Sequence, residues 1–146
     1  MGVGRTVADD AATAGREAIT AALAGREPAL VMVFSSRLYD HAALLDAVRG
    51  CVPPSTAIVG CTTDGHMAGP GMDLHGGNVR SGAVVVAVGG PGFEVRTHVV
   101  RDASARRREA GIEAAGAMAT IQRPYGVCVM FSDGLTGEQH EIVRGA

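Results

Sequence analysis

Residues 29–34 have the sequence Ala-Leu-Val-Met-Val-Phe, and this apolar run decides the fold class. A run this short, ending at Ser35 and Ser36, predicts a strand that is buried on both faces of a sheet. Strands of this kind occur in layered α/β proteins, where helices cover the sheet. The core must be aliphatic, because only 3% of the residues are aromatic.

Both flanks of this strand support the α/β prediction. Helical periodicity predicts a helix over residues 9–24 and another over 40–49, and each can begin at a capping aspartate. A second short apolar strand is predicted over residues 56–59. Strands that alternate with helices favour a sheet containing parallel strands.

The middle of the chain predicts an antiparallel hairpin. Residues 79–88 form an apolar strand, the Gly-rich segment 89–92 is a turn signal, and residues 93–100 alternate as a half-exposed strand should. Together with the parallel strands, this hairpin predicts a layered mixed sheet flanked by helices.

The C-terminal part predicts a helix from Ser104 to about residue 121 and a strand over 127–131. Thr136 and Gln139 have capping-box spacing for a short helix. We expect residues 1–146 to form one domain, and the early stop inside that helix suggests a portion of a larger one.

Composition excludes several functional classes. A net charge of −2 gives no basic face for nucleic acid, and the chain contains no lysine for a P-loop or a Schiff base. The longest apolar run, 82–90, is far shorter than the ~20 residues of a membrane span. The N-terminus lacks the apolar segment of a signal peptide, so we expect a cytoplasmic protein without membrane or nucleic-acid partners.

Polar residues follow three predicted strands. Because ligands of open α/β sheets bind beyond the carboxyl ends of strands, these residues are candidate ligand contacts. They are Ser35, Arg37, Cys61, Thr62, Thr63, Asp64, Ser132, Asp133 and Gly134. The alternative for each segment is a local turn or helix cap that satisfies its own backbone.

The sequence gives less support for a catalytic site or a metal site. Cys61 and His66 are a conceivable nucleophile and base, but a glycine between them leaves their geometry undefined. No cysteine or histidine spacing matches a zinc site. We therefore predict no catalytic residues, no metal and no obligatory cofactor.

Three stretches resemble the N-terminal part of the FIST domain, a sensory domain of bacterial signalling proteins. These are 29–35, 58–65 (Ile-Val-Gly-Cys-Thr-Thr-Asp-Gly) and 130–135 (Met-Phe-Ser-Asp-Gly-Leu). The resemblance implies a sensor of small molecules that passes a signal to a partner protein or domain, and a native domain longer than this chain. Amino acids are the ligand class it suggests. His66 stands where the family pattern usually has an acidic residue.

We therefore expect a sensory domain that binds a small polar ligand, an amino acid, and is not an enzyme. Closure of the loop over residues 67–78 would carry the signal. Three alternatives remain at this stage. They are a haem-binding nitric-oxide sensor with His66, His75 or Cys61 as axial ligand, a thiol-dependent enzyme using Cys61, and an interaction module without a ligand.

Overall fold

The apolar run at residues 29–34 lies in an inner strand of a mixed sheet. The computed structural model of the chain describes residues 1–63, 82–134 and 137–146. The chain divides into two compact units, Met1–Phe93 and Glu94–Ala146. The sheet belongs to the first unit.

Four strands form this sheet. They are β1 (Gly2–Thr6), β2 (Leu30–Ser36), β3 (Ala57–Thr63) and β4 (Ala83–Val88). Their order is β1-β4-β2-β3, with β2 and β3 parallel and β4 antiparallel to both of its neighbours. The mixed α/β sheet predicted from the sequence is therefore confirmed.

Two helices, α1 (Ala11–Leu23) and α2 (His41–Arg49), pack together and build the core of the first unit with the sheet. Asp10 and Asp40 cap them, as the sequence predicts. Side chains alternate along β2, so one of its faces is buried in the core and the other, with Met32 and Phe34, is half-buried. The buried core contains Ile19, Val31, Val33, Leu44, Val48 and Val85.

Small residues let α1 approach its neighbours at backbone distance. A Cβ at Gly4 would lie 1.9 Å from the carbonyl oxygen of Ala18, and one at Gly2 would lie 2.0 Å from that of Ala22. A Cβ at Gly15 would lie 2.5 Å from the carbonyl oxygen of Leu44 in α2. Glycine is therefore required where α1 meets β1 and where it meets α2.

The predicted hairpin is wrong in its second strand. Residues 93–100 are not in a strand, although residues 83–88 are. Strand β4 has β1 on one side and β2 on the other, which leaves no free edge for a hairpin partner. The sequence analysis missed β1, because the short segment Gly-Val-Gly-Arg-Thr carries too little apolar pattern to predict a strand.

The second unit contains α3 (Arg107–Gly116), a 3-10 turn (Ala117–Thr120) and α4 (Gln139–Gly145). Helices α3 and α4 pack closely, since a Cβ at Gly111 would lie 2.0 Å from the carbonyl oxygen of Ile142. Ala110 and Ile142 are buried at this contact. The predicted helices in this region are therefore present, with shorter bounds.

Two predictions for the second unit are wrong. The helix α3 is flanked at its start by Arg106 rather than Ser104, without a side-chain cap. Residues 127–131 are not in a strand, and Val127 is 85% exposed. Apolar β-branched residues favour a strand only where a neighbouring strand pairs with them. Thr136 of the predicted capping box lies outside the described residues.

An ion cluster involves Arg106, the residue that precedes α3. Arg106 contacts Glu113 at 2.7 Å, and His98 approaches the same carboxylate at 3.2 Å. The hydrogen bond from Arg106, followed by that from His98, lowers the pKa of Glu113. Arg106 and His98 are thereby linked to α3 through the same carboxylate.

Among the described residues, no helix is long and apolar enough to cross a membrane.

The close contact between β1 and α1 predicts a large cost for Gly4→Ala. The added methyl would meet the Ala18 backbone, so we expect a loss of about 2–3 kcal/mol in the free energy of unfolding, measured by urea denaturation. Gly50→Ala is the control, because its Cβ would lie 3.5 Å from the nearest atom at an ordinary helical φ of −64°. That variant should be neutral or slightly stabilising. Equal losses in the two variants would contradict the packing.

The cap of α2 gives a second prediction. Asp40 accepts hydrogen bonds from the N–H groups of Ala42 at 3.0 Å and Ala43 at 3.2 Å. Asp40→Ala should therefore lower the free energy of unfolding by about 1 kcal/mol, whereas Asp40→Asn should retain most of the stability. Thermal unfolding of both variants checks this, and an Asn variant as unstable as the Ala variant would argue against capping.

The cap of α1 predicts a dependence on pH. Hydrogen bonds from the side chain and backbone of Thr13 lower the pKa of Asp10. The contribution of this carboxylate is present above its unfolded pKa of about 3.9 and is lost as pH falls through the lowered folded value. Asp10→Asn keeps a capping oxygen but does not titrate. The stability difference between wild type and variant should therefore fall from about pH 6 to about pH 3, and a constant difference would contradict the assignment.

Candidate functional site

The carboxyl ends of β2 and β3 bring several predicted site residues together. In the parallel pairing, Ser35 lies beside Thr62, and Ser36 lies beside Thr63. Two of the three predicted polar segments therefore share one edge of the sheet. Arg37 follows in the exposed turn after β2.

Strand alternation divides these residues between two faces. The sequence analysis placed the end of the second strand at Val59, but β3 continues to Thr63. Thr62 therefore lies on the helix-covered face with Ser35, whereas Cys61 and Thr63 have their side chains on the opposite face. Because the sequence analysis ended this strand earlier, it did not predict that Cys61 and Thr62 have their side chains on opposite faces.

A groove of about 450 Å³ runs between α2 and β3. Its lining residues come from β2, α2 and β3. They are Val33, Ser35, His41, Leu44, Leu45, Asp46, Arg49, Ile58, Val59, Gly60, Cys61 and Thr62. The groove has the size of a pocket for a small molecule, and it contains the candidate residues Ser35, Cys61 and Thr62.

The groove combines apolar side chains with a few polar groups. Val33, Leu44 and Ile58 contribute aliphatic surface, and Ser35 and Thr62 contribute neighbouring hydroxyls. Such a lining suits a ligand with an aliphatic part and a polar part.

Charged residues of α2 lie along the same groove. Asp46 and Arg49 are exposed, one turn apart on the helix. The guanidinium of Arg49 donates from Nη1 to the carbonyl oxygens of Thr56 at 2.9 Å and Pro53 at 3.3 Å. Arg49 thereby ties the end of α2 to the start of β3, so it shapes the groove as well as lining it.

Two further contacts fix the ends of the groove. The Thr56 hydroxyl donates to the Pro28 carbonyl at 2.9 Å in a buried position just before β3. At the other end, the His41 ring Nε2 lies 3.2 Å from the Ser36 carbonyl oxygen. The first contact links the segment before β3 to the segment before β2, and the second links the end of β2 to the start of α2.

The sequence analysis missed the contribution of α2 to this site. All the candidate residues followed predicted strands, so no residue of α2 was among them. A usable signal was present, since a helix that connects two parallel strands must lie across them. The residues of α2 that adjoin its buried face would then lie beside the groove, and these are Leu45, Asp46 and Arg49.

The third predicted segment lies in the second unit. Ser132, Asp133 and Gly134 are exposed there, and they do not follow a strand. The Gln139 Nε2 donates to the Gly134 carbonyl oxygen at 2.9 Å. This contact stabilises a local turn, which is the alternative that the sequence left open.

The remaining candidates have the following positions. Asp64, His66, His75 and the loop 67–78 lie outside the described residues. Cys61 is an exposed free cysteine. Among residues 1–63, 82–134 and 137–146, no group of three His, Cys, Asp or Glu side chains could hold a metal ion.

Comparison with known families identifies the chain. The family model of the FIST N domain matches residues 29–146, which includes the β2–α2–β3 crossover and the groove. No curated protein and no solved structure matches the chain. The match covers most of the sequence and confirms the resemblance found in its motifs. The chain belongs to the FIST family, whose domains act as sensory domains in signal transduction.

Proposed function

We propose that this FIST domain senses a neutral aliphatic amino acid, bound in the groove between α2 and β3. The observation that carries the proposal is the lining of that groove, which places aliphatic side chains beside paired hydroxyls and charged residues. The family supplies the sensory role, and the groove supplies the ligand chemistry.

The apolar lining of the groove favours an aliphatic ligand side chain. Leu44 and Val33 are already buried, whereas Ile58 is half-buried and Leu45 is exposed. An apolar ligand side chain would remove its own surface and that of Leu45 and Ile58 from water, at about 25 cal/mol per Å². A charged ligand side chain there would lose its hydration without a partner. Leucine, isoleucine, valine and methionine are therefore favoured over aspartate and lysine.

Polar and charged residues at the margins of the groove favour a ligand with an ammonium group and a carboxylate group. Ser35 and Thr62 offer hydroxyls that donate to a carboxylate or accept from an ammonium group. Asp46 is placed to attract an ammonium group, and Arg49 has further N–H donors beyond those used on the backbone. Opposite charges one helical turn apart suit a zwitterion.

One further contact is proposed from residue type and sequence position alone. Asp64 follows β3 directly in the sequence and is proposed as a contact for the ligand ammonium group. The bound state would be passed to a partner signalling protein or domain. Binding rather than catalysis is the proposed activity.

Isothermal titration calorimetry with the four aliphatic amino acids, and with aspartate and lysine, tests the ligand class. We expect saturable binding of at least one aliphatic amino acid and none of the charged pair. A cooperatively unfolding protein that binds none of the aliphatic amino acids would refute the proposal.

The same titration with variants tests the site. Ser35→Ala and Thr62→Val each remove a ligand hydrogen bond worth about 0.5–1.5 kcal/mol, so each should weaken binding about two- to twelvefold. Thr20→Val is the matched control, because Thr20 is an exposed residue of α1 that does not line the groove. Equal affinities for Thr62→Val and Thr20→Val would place the ligand elsewhere.

A further inference from the structure

We infer that His41 orients the amino-acid ligand, because its neutral ring accepts a hydrogen bond from the ligand ammonium group beside the hydroxyls of Ser35 and Thr62. His41 is the first residue of α2, is half-buried and lines the groove. Its contact with Ser36 places it at the end of the groove that carries Ser35 and Thr62. The groove and its ligand are those of the proposed function, so this inference rests on that proposal.

The contact with Ser36 fixes the tautomer of the His41 ring. Nε2 lies 3.2 Å from the Ser36 carbonyl oxygen. A carbonyl oxygen can only accept, so Nε2 carries the hydrogen and donates it. In a neutral imidazole the other nitrogen, Nδ1, is then a hydrogen-bond acceptor. At neutral pH, the ring therefore supplies an acceptor to this end of the groove.

The neighbouring hydroxyls complete a site for both charged groups of an amino acid. Its ammonium and carboxylate groups are attached to the same carbon, so both must bind at the same end of the groove. Ser35 and Thr62 lie side by side, and both hydroxyls can donate to a carboxylate. His41 Nδ1 then accepts from the ammonium group, which the hydroxyls leave for it.

The rest of the groove agrees with this orientation. Leu45 lies one turn beyond His41 on the same side of α2, so a ligand side chain directed along the helix would reach it. At the far end, Arg49 already donates to the carbonyl oxygens of Thr56 and Pro53. The aliphatic lining therefore begins next to the polar end that contains His41.

A protonated His41 ring would reverse the interaction. Both ring nitrogens then donate, and the positive charge repels the ligand ammonium group. Histidine is the side chain that changes charge between pH 5 and pH 8. Within the described residues, the other charged or titratable groups of the surrounding elements are Arg37 after β2, Asp40 before α2, Asp46 and Arg49 on α2, and Cys61 of β3. Ligand affinity is therefore present at pH 8 and decreases as the pH falls.

Calorimetric titration at pH 8 and pH 5.5 with leucine, isoleucine, valine and methionine in turn tests the inference. Where only the neutral ring binds, the affinity of the wild type should fall about tenfold at the lower pH. His41→Asn is the control for every other titrating group, because its Oδ1 replaces Nδ1 as an acceptor and does not titrate. This variant should bind within about threefold of the wild type at pH 8 and should lose the fall at pH 5.5.

His41→Gln separates the ligand contact from the contact with Ser36. Its Nε2 can still donate to the Ser36 carbonyl, but no acceptor replaces Nδ1 at the same position. We expect a loss of affinity of about two- to twelvefold at pH 8, without a dependence on pH. A purely structural role would give the opposite order, with Gln equivalent to the wild type and Asn weaker. Thermal unfolding shows whether each variant is folded, and the pH profile of the wild type decides where one is not.

Two different failures can be told apart. A wild type with equal affinity at the two pH values, or a Gln variant that binds more tightly than the Asn variant, would overturn the role of His41 and leave the aliphatic ligand standing. A folded wild type that binds none of the four amino acids at either pH would overturn the proposed function and this inference together.

Discussion

The first unit depends on one packing constraint, which is the contact of α1 with its neighbours at backbone distance. Gly4 of β1 admits the Ala18 carbonyl of α1, and Gly15 of α1 admits the Leu44 carbonyl of α2. Because packed interiors leave few voids, these contacts fix the positions of β1 and α2 relative to α1. Leu44 belongs both to this core and to the lining of the groove, so the groove inherits its position from the same contacts.

The groove follows from a parallel crossover whose ends are tied by hydrogen bonds. At the start of α2, His41 contacts Ser36 of β2, and at its end Arg49 contacts Thr56, which precedes β3. The aliphatic floor and the paired hydroxyls lie between these two ends. A β-α-β unit with parallel strands thus accounts for the composition of the groove lining.

The sequence predicted the elements that carry strong local signals. Strands β2 and β3 are short apolar runs, and the aspartate caps mark the starts of α1 and α2, so these four elements were found. The pairing of one strand with another could not be predicted from local sequence in the same way. The segments 93–100 and 127–131 have strand patterns but are not strands, because pairing is a long-range property that local sequence does not report. Strand β1 shows the converse, since two glycines that weaken its pattern are required by its contact with α1.

The site was predictable in outline and not in detail. Polar residues after parallel strands predicted a common edge, and Ser35 and Thr62 do lie together there. The extension of β3 to Thr63 could not be read from Cys61, Thr62 and Thr63, whose polar character suits a loop as well as a strand. The role of α2 depended on the crossover, which is set by topology rather than by residues 41–49 themselves. The sequence resemblance suggested an amino acid, and the proposal of an aliphatic one required the lining of the groove.

Methyl NMR of isoleucine, leucine and valine residues during a leucine titration shows whether an aliphatic amino acid binds in the groove between α2 and β3, because the groove and the second unit both carry such methyl groups. We expect saturable shifts for Val33, Leu44, Leu45 and Ile58, with the methyl groups of Val127 and Val143 unchanged. Shifts confined to Val127 and Val143, or no shifts at saturating leucine, would contradict it.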